Sequence, residues 1–175
     1  MTGKKKKKKS EKGMKKVRLL LVDDDEDFIR TLGERLSMRD FDVKTVTDGT
    51  SAIEAAHRKE FDVALVDLRM PGIGGEDVLK KLKEYHPLME VIILTGHGTI
   101  DSAVRCTQAG SYSYLEKPCG IEDLFEVLRT AYEKRMKKKL KLPDEKVRKF
   151  VGLSLVESPL GMIMRLRDTD EEKDG

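Results

Sequence analysis

The 175-residue sequence contains no tryptophan, only two cysteines and no long apolar run. Cys106 and Cys119, neither of them in a metal-ligand cluster, exclude a disulfide scaffold and read as free thiols of a cytoplasmic chain. The longest apolar stretches, Leu19 to Val22 and Val91 to Leu94, fall far short of the roughly 18 to 20 residues that a membrane span requires. The run from Leu19 also meets Asp23 before the h-region of a signal peptide, about 7 to 15 residues, can form. Charge of one sign is missing as well. The net charge of +3 averages unlike parts, because residues 1 to 16 carry +8, nine lysines against Glu11, and the remainder carries −5. A uniformly basic protein, and with it sequence-specific nucleic-acid binding, is not expected.

What is present divides the chain into three. Residues 1–15, with Lys4 to Lys9 followed by Ser10 and Glu11, cannot bury apolar surface and read as a disordered, self-repelling tail. No aromatics interleave its lysines, so a solubilising leader is favoured over a phosphate-binding or membrane-binding arm. Residues 16–138 alternate short β-branched segments with helical periodicity. The segments are Val17 to Val22, Val43 to Val46, Val63 to Val66, Val91 to Leu94 and Tyr112 to Leu115. Phe28, Ile29, Leu32 and Leu36 share one helical face, as do Val78, Leu79, Leu82 and Tyr85. In the last helix Ile121, Leu124, Phe125, Leu128 and Tyr132 form the apolar stripe, with Glu122, Glu126, Arg129 and Glu133 outside it. Five strands alternating with five helices imply an α/β domain, a doubly wound parallel sheet covered on both faces. Residues 139–175 break at Pro143, are apolar around Phe150 to Val156, and end in acid; they hold no recognisable output domain.

In an open parallel sheet, function collects beyond the C-terminal ends of the strands. The unusual residues fall there: Asp23, Asp24 and Asp25 after the first strand, Asp67 after the third, Thr95 to Gly98 after the fourth, and Lys117-Pro118 after the fifth. Clustered carboxylates repel unless a cation neutralises them, and hard oxygen donors suit Mg²⁺. A lysine aimed at the same cavity implies that an anion visits too. Carboxylate, divalent metal, hydroxyl and lysine around one anion describe phosphoryl transfer, and a carboxylate can itself be the nucleophile.

The pieces Leu-Leu-Leu-Val-Asp-Asp-Asp-Glu at 19 to 26, Val-Asp-Leu-Arg-Met-Pro-Gly at 66 to 72, Ile-Leu-Thr-Gly-His-Gly at 93 to 98 and Tyr-Leu-Glu-Lys-Pro at 114 to 118 resemble the receiver domain of two-component response regulators. The resemblance covers about 120 residues in order and is closest in style to receivers of NtrC-type, enhancer-binding regulators. It implies a flavodoxin-like fold with strand order 2-1-3-4-5. It also implies that Asp67 accepts a phosphoryl group from a sensor histidine kinase or phosphotransfer protein. Asp23, Asp24, Asp67 and the backbone carbonyl of Arg69 would hold Mg²⁺, Lys117 would pair with a phosphoryl oxygen, and Pro118 would follow a cis bond. Thr95 and Tyr114 would form the switch that alters the face of the fourth helix, fifth strand and fifth helix, where an effector docks or a homodimer forms. Arg69 and His97 are placed to tune the access of water. Such a protein catalyses only its own phosphorylation and dephosphorylation. With no helix-turn-helix, ATPase or cyclase signature after the fifth helix, a single-domain, CheY-like regulator or phosphorelay intermediate is the natural reading. The alternative is a phosphorylation-independent pseudo-receiver, against which the retained Asp23, Asp24, Asp67, Thr95 and Lys117 argue.

Two departures and several lesser features complete the sequence. Gly72-Ile73-Gly74-Gly75 lacks the acidic residue that usually precedes the last glycine, and residues 139–175 carry no recognisable output motif. An EF-hand-like count from Asp23 fails at Phe28, where that loop needs glycine, and the glycines lack the Gly-Lys-Ser/Thr of a P-loop. Asp25 reads as a helix cap, His57 as solvated, His86 as a helix terminus, Tyr112 as core and the two thiols as inert.

Overall fold

A computed structural model describes residues 16–141 except residue 40. The expectations for the lysine tail and for residues 142–175 lie outside the described residues. Five strands, β1 (Val17–Val22), β2 (Phe41–Val46), β3 (Val63–Val66), β4 (Glu90–Thr95) and β5 (Ser113–Glu116), alternate with five helices. These are α1 (Glu26–Ser37), α2 (Gly49–Arg58), α3 (Gly75–Tyr85), α4 (Ile100–Gln108) and α5 (Ile121–Leu140). All strand pairs are parallel, in the order β2-β1-β3-β4-β5, so the expected flavodoxin-like order holds.

Period-two alternation explains the two-sided core. Leu19, Leu21, Val63, Leu65, Ile92 and Leu94 point to the side covered by α1 and α5. Leu20, Val22, Ala64, Val66, Val91 and Ile93 point to the side covered by α2, α3 and α4. Because β3 and β4 are central, every residue of both is buried. Helices α1, α2 and α4 start on side-chain caps, which satisfy amide donors that a first turn leaves unpaired, whereas α3 and α5 start after glycines. Asp25 accepts from the Phe28 N–H at 2.9 Å, as a cap should, and Asp48 accepts from Ser51 at 2.8 Å. At α4, Thr99 and Ser102 form a reciprocal capping box.

Several boundaries differ from the sequence pattern. Strand β2 begins two residues earlier, at Phe41, and β5 is shifted one residue, to Ser113–Glu116. Strand β4 opens on a charged residue, Glu90, which is 1% exposed. Tyr85 leaves the apolar face of α3 and stands 38% exposed, its ring 4.1 Å from that of His57. Helix α5 continues to Leu140, carrying Lys134, Arg135 and Lys138 to the end of the sheet where β3 and β4 begin. There Arg135, 4% exposed, donates from Nε to Asp62 Oδ1 at 2.8 Å. Arg18 grips the same carboxylate with its N–H, Nε and Nη2. Glu90 is paired with Lys138 at 2.7 Å and Lys134 at 3.5 Å. A charged lysine segment thus belongs to the folded unit because two buried acids hold it.

Candidate functional site

Parallel strands expose their C-terminal ends at one edge, and the staggered register decides which side chains meet there. Val22 ends β1 beside Val66 of β3, so Asp23 and Asp67 emerge as neighbours. The Asp67 N–H donates to the Val22 carbonyl at 2.8 Å, which fixes the acid's backbone against β1. Leu94 and Thr95 of β4 stand opposite Leu115 and Glu116 of β5, and the Lys117 N–H donates to the Thr95 carbonyl at 2.9 Å. The Lys117-Pro118 bond is cis, as expected.

Oxygen atoms of Asp23, Asp24 and Asp67, one from each residue, lie within 4.8 Å of one another. Asp23 and Asp67 are buried, at 2% and 6% exposure, whereas Asp24 is open to solvent. Asp23 Oδ1 accepts the Asp25 N–H at 3.0 Å, and its Oδ2 accepts from Lys117 Nζ. That ammonium also stands 4.0 Å from Asp67 Oδ1 and 4.1 Å above the Phe28 ring, whose face favours a cation. Thr95 is fully buried, its hydroxyl accepting from the His97 N–H at 3.2 Å.

Asp67 Oδ1 is buried and has no hydrogen-bond partner, alone in this among the buried side-chain oxygens and nitrogens of the described residues. Burial pushes the Asp67 carboxyl above the ordinary carboxylate range, with the charge of Asp23 adding to the rise. Lys117 and the Thr95 hydroxyl act against it and do not prevail. An unpartnered acceptor beside two further carboxylates fits a hard divalent cation, for which oxygen donors are the proper ligands.

The glycine loop follows the same edge. A Cβ on Gly75 would lie 2.2 Å from the Asp67 carbonyl, so only glycine lets α3 begin this close to the acid. Gly72 has φ of 78°, in the left-handed region. Glu76, just beyond, turns away to pair with Arg105 of α4 at 2.8 Å. Arg69 and His97 sit exposed at the rim. Tyr114 is half-buried beneath α4, its hydroxyl 2.8 Å from Ser102 Oγ. The sequence pattern does not single out Ser102, although Thr99 and Ser102 stand at capping-box spacing.

Asp67→Asn is expected to stabilise the metal-free protein by about 1 to 3 kcal/mol at neutral pH, the usual cost of a buried unsatisfied acceptor. The sign with pH follows from linkage. A carboxyl raised in the folded state makes its favourable contribution below its unfolded value of 3.8, and that contribution is lost as pH rises through the folded value. The advantage of the variant should therefore shrink on acidification, in urea melts performed with a chelator. An equal gap at all pH values would contradict the raised carboxyl.

A family model described as the response regulator receiver domain matches residues 19–129. The transcriptional regulatory protein GlrR of Escherichia coli is 37% identical over 115 residues, covering 66% of this chain and 26% of GlrR. The chain thus spans about a quarter of the length of the curated relatives it matches. A CheY-like receiver domain protein of Methanospirillum hungatei has a similar structure, with TM-score 0.69 and 25% identity over 70% of this chain and 98% of that one. A Burkholderia pseudomallei response regulator, solved with a phosphorylated aspartic acid, calcium ion and citrate, has TM-score 0.63 and 29% identity over 73% of this chain and 75% of that one. With the sheet order and the three-aspartate edge described above, these matches establish that the chain belongs to the response regulator receiver domain family.

Proposed function

We propose that Asp67 is the phosphoacceptor of a two-component phosphorelay, receiving its phosphoryl group from a phosphohistidine on a sensor histidine kinase or phosphotransfer protein. The observation that carries this reading is the buried, unpartnered Oδ1 of Asp67, held 4.0 Å from Lys117 Nζ. A structural carboxylate at this depth would be fully hydrogen-bonded, as Asp62 is. In the reaction a carboxylate oxygen of Asp67 attacks phosphorus, the donor's P–N bond breaks, and the departing imidazole nitrogen keeps the electron pair and takes a proton. The product on Asp67 is an acyl phosphate. Water later attacks the same phosphorus, releasing inorganic phosphate and regenerating the carboxylate.

Asp23, Asp24, Asp67 and the Arg69 carbonyl would hold Mg²⁺, which when bound supplies charge neutralisation for the transferring group. Lys117 moves from Asp23 toward a phosphoryl oxygen, and the Thr95 hydroxyl turns to another. Tyr114 follows Thr95, and the α4-β5-α5 face changes for an effector or a second copy. Such coupling shifts two existing states through new charge and new acceptor oxygens. At the rim, Arg69 and His97 govern how water reaches the acyl phosphate. The setting is cytoplasmic, and among the described residues no helix is long and apolar enough to cross a membrane.

Incubation with acetyl phosphate tests the proposal. With Mg²⁺ the intact mass should rise by one phosphoryl group, and neither chelated wild type nor Asp67→Asn should gain it. Lack of modification in the wild type would favour a phosphorylation-independent binding module.

A further inference from the structure

Tyr114 stands on β5 opposite Ile93 of β4 and packs against the core cluster beneath α4. Its hydroxyl lies 2.8 Å from Ser102 Oγ. Ser102 is only 3% exposed, so water has little access to its hydroxyl. The serine oxygen is already committed to the α4 cap. It donates to the Thr99 carbonyl at 2.8 Å, accepts the Thr99 N–H at 3.0 Å, and lies 3.1 Å from Thr99 Oγ1. A serine hydroxyl has one hydrogen and two lone pairs. With the hydrogen on the Thr99 carbonyl and one lone pair on the Thr99 N–H, a single lone pair remains. The Tyr114 and Thr99 hydroxyls compete for it. Thr99 is exposed and can turn its hydroxyl to water, whereas Tyr114 is half-buried. The tyrosine therefore takes the bond as donor.

Gly98 supplies the space. A Cβ there would sit 2.8 Å from the Tyr114 hydroxyl oxygen and 3.2 Å from ring carbon Cε1. The φ of Gly98 lies outside the left-handed region, so its backbone does not demand glycine and only the room for the ring does.

We propose that Ser102 is a positioning residue of the switch: its hydroxyl latches the Tyr114 ring beneath α4, in the space Gly98 leaves open, and so favours the ring-in arrangement used by the phosphorylated protein. The latch also ties the α4 N-cap to β5, so ring position and the start of α4 change together. Its consequence for activation rests on the phosphoacceptor reading; the latch itself does not.

The test uses the full chain with its four tyrosines labelled with ¹³C at Cζ, Tyr114 being assigned from Tyr114→Phe. Without ligand, Ser102→Ala and Gly98→Ala should each move the Tyr114 resonance. Gly98→Ala does so without altering a cap side chain, which guards against a folding defect of the serine variant. With beryllofluoride and Mg²⁺, each should weaken binding by about 2- to 10-fold, the range a single net hydrogen bond provides. In the Tyr114→Phe background, Ser102→Ala should add no further loss. An unmoved Tyr114 resonance in Ser102→Ala would overturn the latch. So would an equal further loss of binding in the Tyr114→Phe background, since a purely structural cap acts alike in both. If the wild type binds no beryllofluoride, the phosphoacceptor reading fails, while the ligand-free resonances still decide the latch.

Discussion

Lys117→Ala is expected to slow the phosphorylation of Asp67 by acetyl phosphate about 10²- to 10³-fold, the usual loss when one preorganised electrostatic contact to developing charge is removed. Lys117 contacts Asp23, stands 4.0 Å from Asp67, and lies over Phe28. No other lysine or arginine among the described residues makes an ion pair with Asp23 or Asp67. Truncation thus leaves two buried carboxylates facing each other and, in the proposed reaction, also removes the partner of the incoming phosphoryl group. The two consequences separate by experiment. Loss of a counter-charge lowers stability in chelator and is offset when Mg²⁺ is added, whereas loss of the phosphoryl partner slows the reaction even at saturating Mg²⁺. Lys117→Arg should recover stability better than rate, because a planar guanidinium keeps the charge but cannot place it as a compact ammonium does. Rapid-quench measurement of phosphoprotein formation checks the rate, and a loss of less than about 5-fold would remove Lys117 from the reaction, given the magnitude above.

How legible this site was depends on which physical signal each residue leaves in the sequence. The strands Val63–Val66 and Glu90–Thr95 are buried on both faces, and Val63 to Val66 and Val91 to Leu94 print that burial as unbroken apolar runs. Strand β2 is an edge strand in which only Phe41 is buried, so polar neighbours mask its start in the sequence. Asp23, Asp24, Asp67, Thr95 and Lys117 could be placed at one edge because each follows an apolar strand, and parallel topology sends all strand C-termini to the same side. Neither the unpartnered oxygen of Asp67 nor the engagement of Lys117 with Asp23 can be read that way, since both depend on distances of a few ångströms between strands. Ser102 left only the faint signature of a cap, and its second bond, to Tyr114, crosses from helix to strand. Charges buried at the opposite end were least visible. Asp62, Glu90 and Arg135 look like solvated residues in the sequence, and only tertiary pairing buries them.

That opposite end carries the second large expectation. Arg135→Met should destabilise the domain by about 3 kcal/mol, at the lower limit for breaking a buried ion pair because Arg18 still holds Asp62. For a domain of this size the melting temperature should fall by roughly 10 to 15 °C. Burial by itself would raise the Asp62 carboxyl, but the hydrogen bonds from Arg18 and the charge of Arg135 together hold it below its ordinary value. A carboxyl lowered in this way contributes stability above its unfolded value of 3.8, and the contribution disappears as pH falls through the folded value. Without Arg135 the Asp62 carboxyl rises, and the acid-unfolding midpoint should move to higher pH. Replacing both partners, Asp62→Leu with Arg135→Met, should recover part of the loss, because without Arg135 the buried Asp62 charge is only partly compensated, by Arg18. Urea titrations of the two variants across pH decide the matter. A double variant no more stable than the single would mean that Arg135 acts through its packing against the core, where the guanidinium merely finds a neighbour. Since Arg135 lies in the last two turns of α5, its loss should also raise amide exchange from Tyr132 to Leu140 before the rest of the domain opens. The three-aspartate edge, at the other end of the sheet, should keep its response to acetyl phosphate while this segment frays.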